Sequence, residues 1–179
     1  MEKTMGRQAR SRDRVKTLVL TAVMAAMACG ATLAVQIPSP TGGYLNLGDA
    51  VVLLGAYLLG PWYGAAAGAI GPALADLMTY PAYVPATLVI KAVMGLTAGA
   101  LYGRLRARGW AAAVCGVVGE IPMVAGYWLY DALLVGSLTG GAAGVPANLV
   151  QAVFGVAVSA LLTAALRRSS YVRREFPRL

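Results

Sequence analysis

Long apolar runs, broken by Gly, Pro and a few charged clusters, dominate the chain from Val15 to Leu166. A helix crossing a membrane needs about 20 predominantly apolar residues, and fewer when it is sheltered inside a bundle. Six segments meet that rule: about Val15 to Gln36, Leu47 to Leu59, Trp62 to Met78, Tyr83 to Tyr102, Trp110 to Val135 and Pro146 to Leu166. The breaks are turn-rich Ile37 to Gly43, Gly60-Pro61, Tyr80-Pro81, the arginine cluster after Tyr102, and Gly136 to Gly144, a glycine-rich stretch that reads as a flexible loop. Backbone groups in lipid must be paired internally, and the alternating pattern of barrel strands is absent. The expected fold is therefore an all-α integral membrane protein, a six-transmembrane-helix bundle over residues 15–166. Basic tails at 1–14 and 167–179 flank it. The second segment is short, so it is expected to tilt, to begin earlier in Tyr44 to Asn46, or to lie within the bundle.

The basic residues orient the bundle. Of fifteen Lys and Arg, six fall in the first sixteen residues, three at Arg104, Arg106 and Arg108, and five from Arg167 onward. Cytoplasmic flanks carry the Lys and Arg surplus of membrane proteins. Four crossings separate the first cluster from the second and two separate the second from the third. All three then share one side, and both termini are expected in the cytoplasm. The composition agrees with a membrane reading, with 59% hydrophobic and only 12% charged residues and a mean hydropathy of +0.68. The net charge of +8 does not point to nucleic acid, because the basic residues flank apolar segments and lack a polar surface to present them. There is no histidine, and Cys29 and Cys115 sit singly in apolar sequence, so neither a metal, a cofactor nor a disulfide is expected.

Small residues recur at helical spacing: Ala22, Ala26 and Gly30 on the first segment, and Gly64, Gly68 and Gly71 on the third. Such stripes let another helix approach closely, either inside the bundle or from a partner.

The isolated polar residues gather in the half of the bundle away from the basic clusters. Asn46 and Asp49 open the second segment, Asp76 closes the third, and Tyr83 and Lys91 lie early in the fourth. A rotation of about 100° per residue puts Glu120, Tyr127 and Asp131 in one stripe on the fifth, beside Trp128. Asn148 and Gln151 share a face at the start of the sixth. Together these residues read as a pocket with aromatic walls and a few polar groups that fix orientation. Each also has a plain structural reading: Asp49 favoured by the helix dipole, the tyrosines and Trp128 in the interfacial belt, Asn148 as a cap. Lys91 and Glu120 demand more, because an ionised group at depth is costly unless paired or wet. They are expected to pair with each other or to meet a ligand, and Pro122 is expected to bend the helix beside Glu120. No phosphate-cradling Gly-x-x-x-x-Gly-Lys-Ser/Thr loop is present, so ATP hydrolysis by that route is excluded.

The ordered runs Tyr44-Leu-Asn-Leu-Gly-Asp49, Leu59-Gly-Pro-Trp-Tyr-Gly64, Ala73-Leu-Ala-Asp76 and Tyr83-Val-Pro-Ala-Thr-Leu-Val-Ile-Lys91 resemble the S components of energy-coupling factor (ECF) transporters. The likeness is to their riboflavin-type branch and covers residues 15 to 166. It implies a high-affinity binding subunit in a prokaryotic plasma membrane, capturing a vitamin or vitamin precursor from outside. The heteroaromatic cargo is expected to be pyridoxine-, hydroxymethylpyrimidine- or riboflavin-like. The resemblance also implies partners, a transmembrane coupling protein and two cytoplasmic ATPases, with Ala22 and Ala26 of the family's Ala-x-x-x-Ala motif at the coupling contact. The reading in another class is a self-sufficient ion- or proton-coupled carrier or channel, with Asp76, Lys91, Glu120 and Asp131 as its path. A membrane-embedded enzyme lacks a visible nucleophile with an adjacent base.

Overall fold

Apolar segments that cannot leave backbone groups unpaired fold here into long helices that, apart from the first, begin and end near the predicted breaks; the first begins at Glu2 and not near Val15. The computed structural model describes residues 2–41 and 43–179, with side chains from residue 13 onward. The side chains of Lys3, Arg7, Arg10 and Arg12, four of the first basic cluster, thus lie outside the described residues. The long helices are α1 (Glu2–Ala34), α2 (Gly48–Leu59), α3 (Pro61–Thr79), α4 (Val84–Leu105) and α5 (Ala111–Val135). A short α6 (Leu138–Gly141) leads into α7 (Val145–Leu166), and α8 (Ser170–Glu175) follows. Proline enters the first turn of α3, α4 and α7, where its missing N–H leaves no helix bond unmade. Gly60, with φ of 86°, provides the left-handed turn that joins α2 directly to α3.

Four helical segments are long and apolar enough to cross a membrane: Asp13–Ala34, Pro81–Leu105, Ala111–Val135 and Leu138–Leu166. The expected six crossings therefore include two helices, α2 and α3, that length and composition alone do not qualify. Helix α2 is short because it is enclosed. Every residue from Gly48 to Leu59 except Val51 is buried, and α2 packs on α1, α3, α4 and α7. A helix apolar on all sides belongs in a protein interior.

Two segments differ from the sequence expectation. The turn-rich stretch after α1 contains strands β1 (Ile37–Pro38) and β2 (Tyr44–Leu45), paired antiparallel with Ile37 opposite Leu45 and Pro38 opposite Tyr44. The stretch Gly136 to Gly144, expected to be a flexible loop, is instead helical, as α6 and one 3-10 turn (Ala142–Gly144). Ser137 caps α6 through the Gly140 N–H at 3.2 Å, and the Trp128 indole N–H ties it to α5 through the Leu138 carbonyl at 3.1 Å. Glycine-rich sequence hides such order because its restraint comes from side chains elsewhere.

The core lies around α2. Leu53, Ala56 and Tyr57 meet Met94, Ala98 and Tyr102 of α4 and Cys115 and Met123 of α5. The rings of Tyr57 and Tyr102 stack with centroids 4.4 Å apart, and Tyr57 donates to the Ala112 carbonyl at 2.8 Å. Gly64, Gly68 and Gly71 are all buried, so the stripe on α3 serves internal packing. A Cβ on Gly95 of α4 would fall 2.9 Å from the Gly64 carbonyl oxygen, and one on Gly99 2.9 Å from the Pro61 Cα. The stripe on α1 differs: Ala22, Ala26 and Gly30 are exposed.

The described basic residues other than Lys91 collect at one end. Lys16 pairs with Glu175, Arg106 donates to the Pro177 carbonyl at 2.7 Å, and Arg167 donates to the Arg106 carbonyl. The C-terminal segment is thereby folded back under α1, α4 and α7. The hairpin, the start of α2 and the starts of α4 and α7 lie at the other end.

The α3–α4 seam predicts that Gly95→Val lowers thermal stability in detergent by about 1–3 kcal/mol, the usual cost of forcing extra atoms into a packed site. Gly30→Ala, with nothing within 4 Å of its added methyl, is expected to leave the melting temperature unchanged.

Candidate functional site

The site begins with a buried charge. Lys91 of α4 and Asp49 in the first turn of α2 form an ion pair with side chains 1% exposed. The other Asp49 oxygen, Oδ2, accepts from the Gln151 Nε2 of α7 at 2.7 Å. Gln151 Oε1 in turn accepts from the backbone N–H of Asn46 at 2.7 Å, and Asn46 Oδ1 accepts from the N–H of Gly48 at 2.8 Å. One chain of hydrogen bonds thus locks the entry to α2 against α4 and α7. It satisfies both oxygens of a carboxylate that burial would otherwise make costly.

Above this platform lies a small polar cavity. Its floor and sides include Asn46, Gln151, Asn148, Thr87 and Tyr127, and its rim includes Asp76, Asp131 and Tyr83. The segment between α1 and α2 roofs it through Ser39, Thr41, Gly43 and Tyr44. Asp131 holds the roof down: its Oδ2 accepts from the Thr41 hydroxyl at 2.7 Å and its Oδ1 from the Tyr83 hydroxyl at 2.8 Å. Tyr44 donates to Asp76. Burial, and then the Asp76 carboxylate beside it, push the Tyr44 hydroxyl well above its ordinary pKa, so it stays a donor. Thr87 and Tyr127 share a hydrogen bond of 2.8 Å. With the roof down, the cavity measures about 30 Å³, room for a water or two.

Seven predicted site residues line this cavity: Asn46, Asp76, Tyr83, Tyr127, Asp131, Asn148 and Gln151. Asp49 and Lys91 support it from beneath. Two expectations need correction. Lys91 pairs with Asp49 and not with Glu120, because α2 threads between the other helices and brings Asp49 to the lysine first. Glu120 is 3% exposed, and neither of its oxygens has a hydrogen-bond partner among the described residues. A Cβ on Gly155 would lie 2.8 Å from Glu120 Oε1 and 3.0 Å from the Asp49 Cβ, so the two carboxylates flank one glycine. Trp128, 37% exposed, is the other departure. It lines an apolar groove of about 690 Å³ between α5 and α7, with Ile121, Leu149 and Val153, and not the polar cavity.

Sequence reasoning missed Ser39, Thr41, Gly43, Tyr44 and Thr87. Ser39, Thr41 and Gly43 lie in a stretch that reads only as a turn, Tyr44 reads as the lead into the second segment, and Thr87 is a small polar residue four before Lys91. That spacing of one helical turn was the available signal.

The platform predicts a coupled mutational pattern. Lys91→Met, which leaves Asp49 buried without its counter-ion, is expected to cost about 3–5 kcal/mol of stability. In Lys91→Met/Asp49→Asn most of that loss is expected to return, because Asn keeps an acceptor for Gln151 without the charge. Thermal melts of both proteins in detergent check this.

Comparison with known proteins agrees with the geometry. Residues 12–168 match the family model described as ECF-type riboflavin transporter, S component. A protein of Pyrococcus woesei described as "Uncharacterized protein in gap 3'region" is 40% identical over 135 residues, covering 71% of this chain and 85% of that protein. Several apolar helices and a buried polar site fit a multi-pass membrane protein of that kind. The chain belongs to the ECF-type riboflavin transporter S component family.

Proposed function

We propose that this chain is the membrane-embedded, high-affinity binding subunit of an ECF-type importer. It takes a heteroaromatic vitamin or vitamin precursor from outside the cell and hands it inward when coupled to partner ATPases. The observation that carries this reading is the polar cavity of Asp76, Tyr83, Asp131 and Asn148, roofed by a hairpin that the Thr41 hydroxyl on Asp131 and the Tyr44 hydroxyl on Asp76 hold closed. A cavity of about 30 Å³ is far below the several hundred Å³ of a small-molecule site. Cargo entry therefore requires the hairpin of β1 and β2 to lift, with Thr41 as the latch. The rigid Lys91–Asp49–Gln151 platform stays in place beneath. In this reading six helices cross, the basic end faces the cytoplasm and the cavity end faces out.

The exposed stripe of Ala22, Ala26 and Gly30 on α1 supports a coupling-protein contact at that face. Val19, Val23 and Met27 flank it, each about half exposed. Small residues there allow a partner helix to approach closely. One observation favours the carrier or channel reading: Glu120, a buried carboxyl without a partner, is the sort of group that binds a proton in transit.

Native mass spectrometry of the gently purified protein is expected to reveal a stoichiometric vitamin-like molecule. An empty protein that no vitamin stabilises thermally, yet moves ions in liposomes with Glu120→Gln abolishing the flux, would replace this function with the carrier. Thr41→Val is expected to speed cargo release about fivefold, one hydrogen bond's worth, in a dissociation-rate assay. Ala26→Trp is expected to abolish assembly with the coupling protein while cargo binding persists, measured by pull-down and thermal shift on the same preparation.

A further inference from the structure

The charges around the cavity are of one sign. Asp76 and Asp131 line it, and no Lys or Arg does among the described residues. Lys91, beneath, is already engaged with Asp49, so it leaves no cation for a ligand's acceptor group. Asp131 accepts on both oxygens, from Thr41 and Tyr83. Its donors are neutral hydroxyls, which satisfy lone pairs without cancelling charge.

Glu120 is not part of the cavity lining. It lies beside Asp49 across Gly155, 3% exposed and without a partner on either oxygen. Asp49, Asp76, Glu120 and Asp131 thus lie in the same half of the protein as Lys91, and only Asp49 touches it. Tyrosine rings complete the lining: Tyr44, Tyr83 and Tyr127 all face the cavity region. The Tyr127 ring already has the Lys91 ammonium 5.4 Å from its centroid, within the range of a cation–π contact.

Resting on the binding role proposed above, we infer that the cargo carries a positive charge: a heteroaromatic ring bearing a protonated amine or another cationic nitrogen. Such a ring stacks on tyrosine faces while its N–H groups reach the open lone pairs of Asp76 and Asp131. A carboxylate offers about four acceptor positions, so Asp131 receives the cargo and keeps one hydroxyl of the roof. Phosphorylated or carboxylated cargo is rejected, because no cation among the described residues lines the cavity to meet it and two carboxylates repel it. The family's printed name points to riboflavin, which is neutral, so this inference sets the chain's specificity apart.

The test is a matched ligand series on pyridine and pyrimidine rings, each bearing an aminomethyl, hydroxymethyl or carboxylate group. Dissociation constants are measured calorimetrically on the full-length protein in lipid nanodiscs at neutral pH. The aminomethyl compounds are expected to bind at least tenfold tighter than the hydroxymethyl ones, and the carboxylates not measurably. In Asp131→Asn that preference for aminomethyl over hydroxymethyl compounds is expected to shrink at least tenfold, whatever the change in absolute affinity. Asp76→Asn serves as the second variant, and thermal melts verify that each is folded. Equal or tighter binding of the hydroxymethyl or carboxylate members overturns the inference while leaving the binding role intact. Binding by no member, or a neutral or anionic co-purified cargo, overturns it as well. The binding role itself fails only if the protein both purifies empty and does not assemble with a coupling module.

Discussion

The buried pair of Lys91 and Asp49 is the interaction on which the rest of the site depends. Neither charge tolerates a low-dielectric interior alone, so each fixes the helix that carries the other. Gln151 extends the constraint to α7, and its contact with the Asn46 backbone extends it to the end of the hairpin. Three helices and a loop are held in register by one carboxylate. The cavity above consequently has an ion-paired floor and a roof fastened by hydroxyl contacts worth about 1 kcal/mol each.

Close helix approach makes that register possible. Gly64, Gly95 and Gly99 bring α3 and α4 together so tightly that their backbones meet at positions where any side chain would collide. In lipid, dispersion contacts between such surfaces replace the hydrophobic drive to associate. The same residue type has opposite uses on two helices. On α3 the small residues face inward and build the bundle; on α1 they face outward beside Val19, Val23 and Met27 and leave a smooth surface uncovered.

The polar and apolar halves of the protein are therefore distinct devices. Around the cavity, Asp131 and Asp76 hold the roof through Thr41 and Tyr44, and Thr87 and Tyr127 bond each other. Around α5 and α7, an apolar groove takes in Trp128 and hides Glu120 at its inner edge. Glu120 sits where the two meet, close to the platform yet outside its hydrogen bonds, which makes it the least satisfied charged group among the described residues.

The sequence alone determined the helices, because membrane-length apolar runs have few ways to satisfy their backbones. Helix limits such as Val145–Leu166 and Ala111–Val135 fall within one residue of the expected ones at both ends. The polar residues of the site were legible for a related reason: Lys91, Asp131 and Gln151 stand out against apolar surroundings that do not admit an idle charge or amide. What only tertiary structure decided was pairing. Spacing along one helix says which residues share a face but not which helix that face meets, so Lys91 went to Asp49 and not to Glu120. The roof was hidden as well, since Thr41 and Tyr44 become functional only when the hairpin folds over Asp131 and Asp76. Long-range geometry, set by small-residue packing around an enclosed α2, chose among partners that the linear pattern left equivalent.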